Sequence, residues 1–241
     1  CFIFIKDEDA KELWSKTASG KGLEYTEIHL PLSGTSIAAR ICKDGHTINL
    51  PDAYADKRFS KEIDLVTGFK TNSLLAVPLK NKENITIGVL QVSNKNDATP
   101  FSKKDEGLLK LMANLAAGKI EIAKLYDEVK LSNLETIYRL AVTAEYRDQD
   151  DTRRHIENIG QVSYLIAKGL NLEEARAETI RHASTLHDIG KIAIPDNILL
   201  KPGKLTAEEF DVMKKHTVYG GKILEDAKSA LLKLAYRTSL F

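Results

Sequence analysis

Leu108, Leu111, Leu115, Gly118, Ile122, Leu125 and Val129 recur at alternating spacings of three and four, a period that fits a long helix and no strand. The spacing is that of an a/d seam, and about three heptads suffice for a parallel contact between two copies of the chain. The alternative is one amphipathic helix lying on its own domain. Gly118, small at a d position, weakens the seam locally.

This helix divides the sequence into two kinds of chain. Before it, Phe2 to Ile5, Glu24 to Leu30, Thr47 to Leu50, Ser73 to Leu79 and Ile85 to Ser93 are short β-rich runs separated by turn residues such as Lys43-Asp44-Gly45. A helix over Ser33 to Ile41, capped by Ser33, interrupts them. An antiparallel sheet with helices packed on it, an α+β domain, is the economical reading. After it, Leu134 to Tyr146, Arg153 to Lys168, Glu173 to His187, Ala207 to Lys215 and Gly221 to Tyr236 read as helices, and Thr206 with Glu209 forms a capping box.

Composition narrows the classes. Lys and Arg number 35 against 34 Asp and Glu, a formal charge of +1, so no whole-chain field attracts nucleic acid or an anionic membrane, and an anionic ligand needs a local site. Two cysteines, Cys1 and Cys42, build no disulfide framework, and no apolar run reaches the roughly 20 residues of a membrane-spanning helix. A cytoplasmic protein is expected. The chain starts with Cys1 inside a strand-like run, as expected of a piece of a longer chain.

Asn94, Lys95, Phe101, Asp105 and Glu106 lie where the last strand gives way to the long helix. Read alone they make a loop and a helix start: Ser102 caps, the acidic pair suits the helix dipole, and Lys95 pairs with Asp105 across the loop. The same residues resemble the Asn-Lys-Phe-Asp-Glu signature of GAF domains from cyclic-nucleotide phosphodiesterases. Leu50-Pro51-Asp52-Ala53-Tyr54-Ala55-Asp56, Arg58-Phe59, Asp64 to Phe69 and Leu75-Ala76-Val77-Pro78 resemble the lid and central strand of that family. The resemblance implies a small-molecule pocket under Pro51 to Gly68, or a GAF domain that binds nothing and only dimerises. His46 is expected to be a solvated turn residue, and His29 carries no assigned role.

Four of the six histidines, His155, His182, His187 and His216, fall in the helical half, beside Asp151 and Asp188. Imidazole and carboxylate are ligands of divalent transition metals, and His187-Asp188 offers two donors from one helix end. One carboxylate can bridge two ions, and a pair about 3.5 to 4 Å apart orients a phosphate ester for in-line displacement. Lys191, a turn beyond His187, can neutralise a phosphate oxygen there.

Leu186-His187-Asp188-Ile189-Gly190-Lys191-Ile192, Ile194 to Leu199, Lys201-Pro202-Gly203, Glu208-Glu209-Phe210, Met213 and His216 resemble the HD-GYP family, metal-dependent hydrolases of cyclic di-GMP. The resemblance implies metal-ligand roles for His155, His187, Asp188 and His216, a catalytic role for Asp188, and phosphate contact for Lys191. His182 has no counterpart. Asp151 stands where a carboxylate is associated with a third ion, although it is Asp where Glu is usual. Thr217 replaces the usual Pro, and the His-His-Glu and Asp-Gly-x-Gly-Tyr-Pro motifs are expected just after Phe241.

The expected organisation is an α+β GAF sensor domain over 1–102, a signalling helix over 103–133 and the first half of an all-α HD-GYP helical bundle over 134–241. The expected parent is a GAF-regulated, metal-dependent phosphodiesterase with two or three divalent ions, iron or manganese, that hydrolyses cyclic di-GMP to pGpG or GMP and dimerises through the long helix. The 241-residue chain itself is expected to be inactive. Two rivals stay open: a catalytically silent signalling and dimerisation module, and an HD-family hydrolase of another nucleotide.

Overall fold

The computed structural model describes residues 1–15, 27–61, 64–65, 69–147 and 152–241. Contacts divide the chain into two compact units, Cys1–Tyr126 and Asp127–Phe241.

Among the described residues the first unit is built on six antiparallel strands, β1 (Phe2–Asp7), β2 (Glu12–Ser15), β3 (Ile28–Pro31), β4 (Ile48–Leu50), β5 (Leu74–Lys80) and β6 (Thr86–Ser93), in the order β3-β2-β1-β6-β5-β4. Period-two alternation sends successive residues of β5 to opposite faces. Leu74 and Ala76 join Phe2, Phe4, Leu13 and Val89 against helix α1 (Ile37–Asp44). Leu75, Val77 and Leu79 turn to the other face, where Leu109, Ala113 and Ala117 of the long helix α2 (Lys103–Glu145) cover them. The sheet is therefore covered on both faces.

Two local details depart from the sequence reading. Strand β2 was not foreseen, because its four residues Glu12–Ser15 are too few to display a period. Helix α1 is capped by Ser36, whose hydroxyl accepts from the Ala39 amide, and not by Ser33. Gly34 lies in the turn that precedes it, its amide bonded to the Pro31 carbonyl.

The GAF-like signature residues hold the fold together. The Asn94 amide donates to the Lys70 carbonyl at 2.7 Å and accepts from the Asn72 and Ser73 amides. Lys95 Nζ meets Asp105 Oδ2 at 3.0 Å, and Asp105 and Ser102 bond each other's amides at the start of α2. Beneath the lid segment, the described residues Leu30, Ile37, Phe59, Leu74 and Gln91 line a cavity of about 30 Å³. Asp64 of that segment is buried and takes the Thr71 amide, the Thr71 hydroxyl and the Tyr54 hydroxyl.

Helix α2 carries two apolar faces. Leu109, Ala113 and Ala117, spaced by four, are buried on the sheet, whereas the seam residues Leu108, Leu111, Leu115, Ile122, Leu125 and Val129 are all more than half exposed. The helix thus does lie on its own domain, but not through its seam.

The second unit is helical: the end of α2, α3 (Thr152–Gly169), α4 (Glu174–Ser184), a 3-10 turn (Ile189–Ala193), α5 (Asp196–Leu199), α6 (Ala207–Met213), α7 (Lys215–Leu224) and α8 (Ala230–Ser239). Ala141, Ile156, Ala183, Leu186, Leu224 and Ala235 form its main core, and Ile194, Ile198 and Leu199 a second cluster. The Thr206–Glu209 capping box forms as expected.

Two expected helices are shorter here. The helix read as Glu173 to His187 stops at Ser184, where the Ser184 and Thr185 hydroxyls bond back to the carbonyls of Arg181 and His182 and the amides of Leu186 and His187 tighten to i→i+3 bonds. The helix read as Gly221 to Tyr236 is broken at Glu225, which is extended, and Asp226, at φ 58°. Ser229 then caps α8 by accepting from the Leu232 amide. Among the described residues no helix is long and apolar enough to cross a membrane.

Candidate metal centre

His187 and Asp188 sit in the turn between α4 and the 3-10 segment, and His216 sits in the first turn of α7. Gly190 brings these elements together. A Cβ there would lie 1.9 Å from the His216 carbonyl oxygen and 2.4 Å from the Gly220 nitrogen, a backbone approach that only glycine permits. As a result Asp188 lies between two imidazoles: Oδ2 is 3.3 Å from His187 Nε2, and Oδ1 is 3.3 Å from His216 Nε2.

Both rings are held from behind. His187 Nδ1 is 3.1 Å from the Ser184 carbonyl and His216 Nδ1 is 2.8 Å from the Met213 carbonyl. A carbonyl only accepts, so Nδ1 carries the hydrogen and each neutral ring turns its Nε2 lone pair toward the carboxylate. A lone pair facing a carboxylate oxygen is repulsive unless a proton or a cation stands between them. That donor set, with ring orientation fixed by backbone carbonyls, fits a divalent transition metal.

Electrostatics agree with the geometry. Burial pulls the His187 imidazole down, but the Asp188 and Glu145 carboxylates outweigh it and its pKa is raised. The hydrogen bond that Asp188 accepts from it raises the His216 pKa against burial. Burial pushes the Asp188 carboxyl up, yet His187, His216 and Lys191 together hold it well below the usual carboxylate range.

Lys191 Nζ is 2.8 Å from Asp188 Oδ2, with both side chains largely buried. The segment carrying it is 3-10 rather than α-helical. His155, on α3, faces the cluster: its ring centroid is 6.0 Å from that of His187, and its Nε2 is 3.9 Å from Glu145 Oε2. His182 stays apart and pairs with Glu178 at 3.3 Å, its pKa lowered by burial. Asp151 lies outside the described residues.

Glu145 was not foreseen. Its carboxylate, 1% exposed, offers an oxygen that lies within 4.8 Å of donor atoms of His187 and Asp188. A sequence signal existed: Ile137, Ala141 and Glu145 are spaced by four, which puts a carboxylate on the apolar stripe of a helix.

Residues 1–120 match the family model of the GAF domain and residues 135–237 that of the HD domain. The chain joins a GAF domain to an HD domain. Curated relatives include a cyclic di-GMP phosphodiesterase of Thermotoga maritima, 46% identical over 106 residues, 44% of this chain and 28% of the relative. A cyclic di-GMP phosphodiesterase response regulator of Xanthomonas campestris is 43% identical over 108 residues, 45% of this chain and 28% of that protein. A 3'3'-cGAMP-specific phosphodiesterase of Vibrio cholerae is 37% identical over 135 residues, 56% of this chain and 26% of that protein. The GAF–HD chain therefore spans little more than a quarter of the length of each of these relatives.

Proposed function

We propose that the HD domain is a metal-dependent phosphodiesterase acting on cyclic di-GMP, regulated through the GAF domain, in a cytoplasmic dimer. The observation that carries this reading is the convergence of His187, Asp188 and His216, with His155 and Glu145 facing them. His155, His187, Asp188 and His216 would hold iron or manganese, Asp188 would serve two ions, and Asp151 would serve a third. Such ions, when bound, supply Lewis acidity toward a phosphate ester and acidify water.

The side chains themselves do the rest. The backbone carbonyls of Ser184 and Met213 fix which ring nitrogens face inward. Lys191, held beside Asp188, contributes a positive charge within reach of a phosphate oxygen. The exposed seam of α2 supplies an apolar stripe of the kind that pairs helices of two chains. Neither nucleic acid nor a membrane is invoked as a partner. The GAF domain would act on the HD domain by presenting its helix, with or without a small-molecule ligand under Pro51 to Gly68.

The test is turnover of cyclic di-GMP by the full-length protein carrying this sequence, supplied with Mn²⁺, beside His187→Ala. Turnover lost in the variant supports the reading, and turnover unchanged in the variant contradicts it. Hydrolysis of 3'3'-cGAMP with cyclic di-GMP inert favours the second reading, an HD hydrolase of another cyclic dinucleotide, for which the Vibrio relative is the precedent. Failure to bind metal or hydrolyse either nucleotide favours a silent signalling module.

A further inference from the structure

We infer that Glu145 is a metal-centre residue, so that ion binding and the seating of the last turns of α2 are coupled in both directions. This rests on the metal-site reading above and adds to it a residue and a regulatory linkage.

Glu145 is the last residue of a 43-residue helix and is 1% exposed. An ionised carboxylate there is disfavoured by desolvation, and again by the negative partial charge at a helix C-terminus. Positive charge nearby offsets both penalties. Two imidazoles face it, His155 with Nε2 at 3.9 Å and His187. A divalent ion shared with His187 and Asp188, whose donor atoms lie within 4.8 Å of the Glu145 carboxylate, would supply that charge.

Two further contacts fasten the same end of α2 to the segment that follows Asp188. The Arg147 guanidinium donates to the Ile192 carbonyl at 3.1 Å and to the Lys191 carbonyl at 3.5 Å, and pairs with Asp196. Tyr138, two turns earlier, bonds Glu157 of α3 at 2.9 Å. The end of α2 thus cannot turn or slide without carrying the Glu145 carboxylate relative to His187 and Asp188. Binding free energies at linked sites are reciprocal, so an ion that uses Glu145 stabilises one seating of α2, and that seating favours the ion.

The test uses Mn²⁺ alone as probe, with calorimetric affinity and amide hydrogen exchange over residues 137–147 as readouts. The wild-type protein, Glu145→Gln, Glu145→Asp and His187→Ala are compared. Mn²⁺ is expected to protect the 137–147 amides in wild type. Glu145→Gln should bind about 10- to 100-fold more weakly and lose that protection. Glu145→Asp keeps the charge but withdraws it by one methylene, so it should fold normally and still bind more weakly. The inference is overturned if both Glu145 variants bind Mn²⁺ and protect α2 as wild type does while His187→Ala does not bind. If wild type itself binds no Mn²⁺, the metal-site reading falls and this inference falls with it.

Discussion

His216 Nε2 stands 3.3 Å from Asp188 Oδ1 although the two residues belong to different elements of the second unit. Their meeting depends on Gly190, where the 3-10 segment touches the backbone of α7. Gly190→Ala should push that segment away at a cost of about 1–3 kcal/mol, the range of overpacking in a close-packed interior. Urea unfolding would read the loss, and Mn²⁺ affinity should fall with it. A variant as stable as wild type would show that the approach is not restrictive.

The seam of α2 predicts a dimer. Leu115 and Ile122 are 67% and 62% exposed, so Leu115→Lys with Ile122→Lys should leave the fold intact and place like charges in the paired stripe. Light scattering is then expected to report a dimer for wild type and a monomer for the variant. An unchanged solution mass, in a protein whose circular dichroism is unchanged, would remove the seam from the account.

The loop before α2 predicts an acid-sensitive contribution. Hydrogen bonds from the Ser102 amide and hydroxyl, then from Lys95, hold the Asp105 carboxyl down at about 2. A carboxyl depressed on folding stabilises the native state above its unfolded value of about 3.9 and loses that contribution as pH falls through its folded value. The stability gap between wild type and Asp105→Asn should be full near neutrality and narrow steadily below about pH 4. Denaturant titrations at several pH values would measure it, and a gap that ignores pH would show that the contact is not ionic.

Features set by neighbours in sequence were legible without coordinates. The Lys95–Asp105 pair, the Ser102 cap and the Thr206–Glu209 box depend on residues that share a turn or a short loop, and all three form. The strand runs around Leu74–Lys80 and Thr86–Ser93 were visible from their apolar and β-branched content. Breaks were harder. Asp226 in the left-handed region splits an apolar pattern that reads as one helix, and Ser36 was as good a cap by composition as Ser33. At the candidate metal centre, the family resemblance pointed to His187, Asp188 and His216, but their convergence depends on a backbone contact at Gly190 that no period displays. Glu145 escaped because its place on the stripe of Ile137 and Ala141 signals burial, not which distant histidines it faces.

Metal content bears most directly on the central claim. Wild type and the double variant His187→Ala, His216→Ala would be stripped of metal, offered Mn²⁺ or Fe²⁺, freed of excess ion and analysed by mass spectrometry. The account predicts bound metal in wild type and its loss in the double variant, with both retaining the same helical content. Equal metal in the two proteins, or none in wild type, would contradict it.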